Sequence, residues 1–264
     1  MTYETLSIDR QGSVVRLNLN RPDAHNAMNT AMIQDLREYF TSIPEDRSIR
    51  VVVIGATGST FCAGGDIKEM RHSYGESREA QLERARTLDD MLLAIQYAPQ
   101  VVIARVHGAA LGGGVGLVCV ADIAIAAEDA TLAFPEVRRG IVPAVISPYA
   151  IGRVGLAKAR ELMLTGAHLD GQAAARAGLV TAAYPASELD ARINAYIQDI
   201  LRASPGALAA CKALLFEVAN KPPSQTVEYR IDLLNQLRTS AEGREGMSAF
   251  IEKRPPAWVT KDQE

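Results

Sequence analysis

The fold of this chain is decided by residues 101–117, which read VVIARVHGAALGGGVGL. Val101–Val106, in which four of six residues are β-branched, predicts a buried strand. The glycine-dense stretch Gly108–Gly116 follows at once and leads into an apolar helix. A helix that begins after such a turn can bind an anionic group, although the glycines equally allow tight packing of helix on sheet. The stretch is neither a dinucleotide fingerprint nor a phosphate loop, because it contains no G-x-G-x-x-G and no G-K-[ST].

Strands and helices alternate on either side of this stretch. Glu4–Ile8 and Val14–Asn20 alternate apolar and polar residues and predict a β-hairpin. Ile49–Ile54 and Asp122–Ala127 are further buried strands, and Arg78–Ala98 is a long helix that ends before a proline. Short connections between alternating strands and helices predict an α/β layered fold with a largely parallel sheet.

The second half of the chain is helical by pattern. We therefore expect an α/β core over residues 1–200 and a helical C-terminal extension over residues 201–264, which docks on its own core or on a neighbouring subunit. Helices are predicted at Val154–Thr165, Gln172–Ala177, Ala186–Ala203, Gly206–Asn220 and Gln225–Thr239.

Composition excludes several classes of protein. With 28 basic and 31 acidic side chains the net charge is −3, so no basic field favours nucleic acid. The three cysteines and four histidines show no metal-ligand spacing, which predicts reduced thiols and no metal site. The apolar run Val115–Ala127 is interrupted by Asp122 and is too short to span a bilayer, and no signal-peptide pattern opens the sequence. We expect a cytoplasmic protein with no nucleic-acid or membrane partner.

Two further segments could carry chemistry. Ser59–Ile67 is rich in small residues and follows a buried strand, so its free N–H groups could bind an anionic oxygen; alternatively it is a plain connecting loop. Glu136 follows Phe134 and Pro135, an apolar setting that raises the pKa of a carboxyl group and suits a proton shuttle. The alternative for Glu136 is an ordinary surface ion pair with Arg138 or Arg139.

Taken in order, these motifs resemble those of the enoyl-CoA hydratase/isomerase (crotonase) superfamily. The resemblance covers nearly the whole chain. It rests on Asn20-Arg21-Pro22 with Asn26-Ala27, on residues 61–70 (FCAGGDIKEM), on Gly108–Gly114, on Leu164–Gly166, on Ala174–Val180 and on Lys253–Pro256.

The resemblance implies a fold and a set of site residues. The fold would be a spiral core of repeated ββα units with a helical C-terminal extension, assembled as a trimer or a dimer of trimers. The backbone N–H groups of Ala63 and Gly113 would form an oxyanion hole for the thioester carbonyl, with Glu136 as the acid/base. No metal or redox cofactor would be needed, because coenzyme A enters as part of the substrate. The residues that would bind coenzyme A are Ala24, His25, Ala27, Gly65, Asp66 and Ile67.

The chain departs from the family pattern at residue 116. Typical hydratases carry a first catalytic glutamate there, whereas this chain has Gly116. The run Pro143–Pro148 (PAVISP) also replaces a glycine-rich segment. Both features resemble 3-methylglutaconyl-CoA and isohexenylglutaconyl-CoA hydratases, whose substrates carry a second carboxylate. We therefore expect hydration of a branched 2-enoyl-CoA of the glutaconyl type, with Arg138 or Arg139 as candidates to bind that carboxylate.

Two alternatives stay open at this point. A single carboxylate also suits a Δ3-Δ2-enoyl-CoA isomerase, in which one base removes a proton from one carbon and returns it to another. A non-catalytic CoA-binding or scaffold protein is the alternative from a different class, and the retained Glu136 speaks against it.

Overall fold

A computed structural model describes residues 3–259, and its first unit is built on a six-stranded sheet. The hairpin strands pair antiparallel, while β2 with β3, β4 with β6 and β6 with β9 pair parallel. The predicted hairpin and the largely parallel sheet are therefore confirmed. In spatial order, with numbering along the chain, the strands are β1 (Leu6–Gln11), β2 (Val14–Leu19), β3 (Val51–Ala56), β4 (Val101–Val106), β6 (Ile123–Ala127) and β9 (Ala182–Tyr184).

A second, three-stranded sheet begins inside the glycine-dense stretch. It consists of β5 (Ala109–Leu111), β7 (Thr131–Ala133) and β8 (Leu169–Asp170), with β7 parallel to β5 and antiparallel to β8. The sequence did not predict these strands, because two or three residues are too few to show an alternating pattern.

Six α-helices belong to the same unit. In the first helix the side chain of Asn29 accepts a hydrogen bond from the Met32 N–H and caps the N-terminus. The fifth helix begins earlier than predicted, because Pro148 fits a first helical turn, and Gly155 (φ 74°, ψ 160°) introduces a kink. The helices are α1 (Thr30–Ser42), α2 (Ile67–His72), α3 (Arg78–Gln96), α4 (Gly113–Val120), α5 (Ser147–Thr165) and α6 (Gly171–Arg176).

The chain divides into two compact units inside α7 (Leu189–Arg202). The second unit comprises Pro99–Val101 and the chain from Asn194 onward, so the division precedes the predicted boundary at residue 201. Within the second unit the indole N–H of Trp258 donates to the carbonyl of Arg202 at 3.0 Å. Residues 1, 2 and 260–264 of the two predicted ranges lie outside the described residues. The remaining helices are α8 (Pro205–Val218), α9 (Val227–Thr239) and α10 (Ala241–Glu252), of which α10 was not predicted.

Candidate active site

The two glycine-rich segments of the sequence lie side by side. Cys62 forms a bridge with Ala110: its N–H donates to Ala109 at 3.0 Å, and its carbonyl accepts from Leu111 at 2.9 Å. The loop can pass this close only because residue 64 has no side chain. Gly64 has φ +93°, and a Cβ there would lie 2.8 Å from the carbonyl oxygen of Leu111.

Two backbone N–H groups in these segments have no acceptor in the described part of the chain. Among residues 3–259, neither Gly65 nor Gly113 donates its N–H to another group. A Cβ on residue 113 would lie 3.9 Å from the Gly65 nitrogen, which places the two glycines next to each other. Gly65 is exposed and Gly113 is half-buried, so a ligand can reach both. Two neighbouring N–H donors without an acceptor can together stabilise an oxygen that gains negative charge.

The structure corrects the prediction for Ala63. The Ala63 N–H donates to the carbonyl of His25 at 3.1 Å, so this group joins the loop to its neighbour and is not open to a ligand. Gly65, predicted to be one of the CoA-binding residues, instead has an N–H without an acceptor among the described residues. The backbone pairing of this loop with Met28 explains why the Gly65 N–H is the open one. Met28 donates to the Gly64 carbonyl and accepts from the Asp66 N–H, so the Gly65 N–H between them points away from Met28.

Glu136 lies against the same glycine turn. It begins a 3-10 turn, Glu136–Arg139, that Gly140 ends in the left-handed conformation. Its Oε1 lies 2.6 Å from the position that a Cβ on Gly112 would occupy, and Gly112 directly precedes the open N–H of Gly113. The base and the pair of donors are therefore neighbours in space.

The environment of Glu136 disfavours the ionised form of its carboxyl group. Burial raises its pKa above the ordinary value of 4.5, and the partial compensation comes from its own backbone N–H and from the charge of Arg139. Its Oε2 atom is buried without a hydrogen-bond partner among the described residues. A buried carboxylate with one oxygen that lacks a partner favours proton transfer to or from a bound molecule. The alternative of an ordinary ion pair with Arg138 or Arg139 is wrong, since neither forms a salt bridge with it in the described part of the chain.

The two arginines after Glu136 differ in their contacts. Arg138 Nε donates to the carbonyl of Thr165 at 3.2 Å, and its side chain packs on Gly166. Arg139 is exposed, and its charge acts on the carboxyl group of Glu136.

The predicted CoA-binding residues lie on two segments that one arginine connects. The guanidinium of Arg21 donates to the carbonyl of Ala27 at 2.5 Å and to the carboxylate of Asp66 at 3.1 Å. Hydrogen bonds from Arg21 and from the Lys68 N–H outweigh the effect of burial, so the pKa of Asp66 is lowered. Asp66 therefore positions the loop and caps α2, while Ile67 beside it is 57% exposed.

A buried amide shapes the first of these segments. Asn26 is fully buried and donates to the carbonyls of Thr57 and Thr60 at 2.8 and 2.7 Å. Both His25 and Asn26 adopt positive φ, 51° and 52°, which presents the exposed His25 and the half-buried Ala24 and Ala27 around the turn. Asn26 belongs to one of the motifs recognised in the sequence, but no role was predicted for it. Its positive φ and full burial become visible only in the structure.

Helix α4 presents no carboxylate at residue 116. A Cβ on Gly116 would lie 2.7 Å from Ile146 Cγ2 and 3.9 Å from Leu92 Cδ2. The place of a side chain at residue 116 is therefore filled by an isoleucine methyl group, and Glu136 is the carboxylate adjoining this turn.

Neither a metal centre nor a membrane span is found in residues 3–259. No group of three His, Cys, Asp or Glu side chains there is placed to hold a metal ion. Within the same residues no helix has the length and apolar character needed to cross a bilayer.

Comparisons with known proteins agree with this geometry. The family model described as "Enoyl-CoA hydratase/isomerase" matches residues 9–261. The "Probable enoyl-CoA hydratase echA8" of Mycobacterium tuberculosis is 34% identical, covering 98% of this chain and 99% of that protein. Pseudomonas aeruginosa AtuE is a similar solved structure, with 40% identity, a TM-score of 0.95 and coverage of 97% of this chain and 100% of its own. An enoyl-CoA hydratase/isomerase from Marinobacter aquaeolei is 36% identical with a TM-score of 0.92, over 97% and 99% of the two chains.

Proposed function

This chain belongs to the enoyl-CoA hydratase/isomerase family, and we propose that it adds water to a branched 2-enoyl-CoA of the glutaconyl type. The crotonase fold predicted from the sequence is confirmed by the similar solved structures. The observation that carries the proposal is the buried Oε2 of Glu136, which has no hydrogen-bond partner among residues 3–259 and lies beside the turn that bears the open N–H of Gly113.

The chemistry follows from three groups. The thioester carbonyl oxygen of the substrate accepts hydrogen bonds from the N–H groups of Gly65 and Gly113, which draws electron density from the C2–C3 double bond. Glu136 removes a proton from a water molecule as the water oxygen bonds to C3, and the negative charge moves to the thioester oxygen as an enolate. The enolate then forms its C2–H bond with the proton that Glu136 holds, so one carboxylate serves first as base and then as acid.

Coenzyme A is proposed to enter only as part of the substrate. Ala24, His25, Ala27, Asp66 and Ile67 lie on the segments next to Gly65, where the CoA portion would bind. The backbone donors stabilise the enolate, so the reaction as proposed requires no metal or redox cofactor. Turnover is expected to survive dialysis against a chelator.

Mass spectrometry of the products tests the proposal. We would incubate the protein with crotonyl-CoA, a 3-enoyl-CoA and 3-methylglutaconyl-CoA. A gain of one water on the glutaconyl substrate, with little on crotonyl-CoA, is expected. Absence of turnover with all three, from a folded protein, would refute an enzymatic role and favour a CoA-binding protein.

Isomerisation is the second candidate function, and Gly116 with Ile146 is the observation that favours it. Because an isoleucine fills the place of a second carboxylate, the proton removed at one carbon can return at another through Glu136 alone. The same experiment separates the two reactions. An unchanged mass, with the 3-enoyl substrate converted to a conjugated 2-enoyl thioester, would identify an isomerase.

We also propose that the chain assembles as a trimer or a dimer of trimers. Helices α9 and α10 expose large apolar side chains, including Leu234, Phe250 and Ile251 at 66%, 84% and 78%. Apolar surface of this kind favours contact with another protein chain. Sedimentation velocity is expected to give a mass of three or six chains, and a monomer at micromolar concentration would contradict the assembly.

A further inference from the structure

Two glycines, one just before α4 and one within it, leave space that two different side chains fill. Gly112 precedes the helix and Gly116 follows one turn later, so they lie about 6 Å apart along its axis. Glu136 occupies the side-chain space of Gly112, and Ile146 occupies that of Gly116. The proposed base and the isoleucine therefore lie against residues 112 and 116, which are four positions apart in the chain.

Ile146 has little freedom to leave this place. Only 4% of its surface is exposed, and its carbonyl accepts from Ala150 as the first hydrogen bond of α5. One turn into that helix, the hydroxyl of Tyr149 donates to Asp89 on α3 at 2.5 Å. Leu92, one turn after Asp89, is fully buried, and its Cδ2 lies 3.9 Å from the position of a Cβ on Gly116. The side chain is thus fixed between three helices, beside the site.

The position of Ile146 matters because of where the substrate carbons must lie. If Gly65 and Gly113 bind the thioester oxygen, C2 and C3 lie within a few bond lengths and within reach of Glu136. A substituent on C3 that points along α4, from Gly112 toward Gly116, then approaches the apolar side chains of Ile146 and Leu92. The volume available to that substituent is limited by the methyl group over Gly116.

We propose that Ile146 is a specificity-determining residue, whose Cγ2 methyl over Gly116 limits the size of the apolar substituent that C3 of the acyl group can carry. This inference rests on the proposed function, since it presumes a 2-enoyl thioester bound at Gly65 and Gly113. It also accounts for the pairing of a glycine at 116 with an isoleucine at 146, because any larger residue at 116 would need the same space.

The test compares kcat/KM for glutaconyl-CoA thioesters whose C3 carries hydrogen, methyl or propyl. Ile146→Ala removes Cγ2 and is expected to raise the propyl-to-methyl ratio about tenfold or more, within the range by which one or two methylenes change discrimination. Ile146→Val is the matched control, because it loses only Cδ1 and keeps the methyl over Gly116. Its ratio is expected to stay within about threefold of the wild-type ratio, which is below that range.

A second pair of variants covers the case in which Ile146→Ala does not fold. Ile146→Leu keeps the buried volume but moves the branch away from Cβ, so it opens the space over Gly116 at small cost to packing. Ile146→Leu should therefore raise the propyl-to-methyl ratio, as Ile146→Ala does. Gly116→Ala should lower the melting temperature by several degrees in the wild type and by less in the Ile146→Leu background.

The outcomes separate the inference from the function on which it rests. A wild type that hydrates the methyl substrate, with the same ratio in folded Ile146→Ala and Ile146→Leu, overturns the role of Ile146 and leaves the hydratase proposal standing. A wild type that hydrates none of the three thioesters overturns both. A raised ratio in these two variants but not in Ile146→Val supports the inference.

Discussion

The carboxylate of Glu136 packs on the bare backbone of Gly112, with Oε1 2.6 Å from where a Cβ at residue 112 would stand. Gly112 has φ +51° and ψ −117°, a conformation that side-chain-bearing residues rarely adopt. The following residue, Gly113, begins α4 and presents one of the two open N–H groups. A single turn therefore holds the proposed base and half of the proposed oxyanion hole in a fixed relation.

Gly112→Ala is expected to reduce both activity and stability. The added methyl group would overlap the Glu136 carboxylate and would strain the backbone, so kcat should fall by at least about tenfold, as misplaced catalytic groups commonly cause. Gly12→Ala is the matched control, because Gly12 also has positive φ (+59°) but has no atom within 4 Å of a Cβ. Steady-state rates and thermal melts of the two variants separate displacement of Glu136 from simple backbone strain. Equal losses of kcat in Gly112→Ala and Gly12→Ala would show that the contact between Glu136 and Gly112 does not matter for catalysis.

Glu136→Gln is expected to be slower but more stable. The amide cannot carry a proton from water to carbon, so kcat should fall by about 10²-fold or more. At neutral pH the neutral amide also replaces a desolvated charge, so the melting temperature should rise. Glu83→Gln, on an exposed position of α3, serves as the control for the loss of one negative charge. A normal rate in Glu136→Gln would assign proton transfer to another group.

The stability gain in Glu136→Gln should depend on pH in one direction. Because burial raises the folded-state pKa of Glu136 above 4.5, the wild-type fold is favoured while this carboxyl group is protonated. That contribution is complete below the unfolded-state pKa and is lost as the pH rises through the folded-state value. The variant's advantage should therefore vanish near pH 4 and be full at pH 8, as measured by denaturant titration. An advantage that is constant across this range would contradict a raised pKa.

The sequence predicted the buried strands, the long helices and Glu136, because each of these has a periodic or compositional signal. It assigned the oxyanion donor to Ala63 rather than to Gly65, since both are small residues in one loop. Which N–H stays open depends on pairing with the His25–Met28 segment, more than thirty residues away. From the sequence, Gly116 could be seen only as the absence of a glutamate. The structure shows that Ile146 fills the space of a side chain at residue 116. Contacts between distant segments leave no local pattern in a single sequence.

Replacing single amides by esters tests the corrected pair of donors. An α-hydroxy acid incorporated at residue 65 removes the Gly65 N–H and makes the Gly64 carbonyl, which accepts from the Met28 N–H, a weaker ester acceptor. We expect kcat to fall by about 10² to 10³-fold, as for loss of one oxyanion donor. The same replacement at residue 63 is the control. It removes the hydrogen bond to the His25 carbonyl and should lower the melting temperature with a much smaller effect on kcat. A large loss of kcat from the replacement at residue 63, with little loss from the one at residue 65, would identify Ala63 as the donor.

Arg139, rather than Arg138, is expected to bind the second carboxylate of a glutaconyl substrate. Both arginines are exposed. Arg138 already donates to the Thr165 carbonyl and packs on Gly166, whereas Arg139 is close enough for its charge to act on Glu136. Arg139→Ala should lower kcat/KM for 3-methylglutaconyl-CoA by about tenfold or more, since a charge-assisted hydrogen bond contributes roughly 1.5–3 kcal/mol. The rate with a branched substrate lacking that carboxylate should change little.

The matched variant and the pH profile make this last prediction specific. Arg138→Ala should affect both substrates alike, because it loosens the turn after Glu136 without removing a substrate contact. Arg139→Ala also removes a positive charge that lowers the pKa of Glu136, so the acid limb of the kcat profile should move to higher pH. Unchanged kcat/KM on both substrates, with an unshifted acid limb, would show that Arg139 is only a solvated surface charge. In that case the second carboxylate, if the substrate has one, must be bound by another part of the chain.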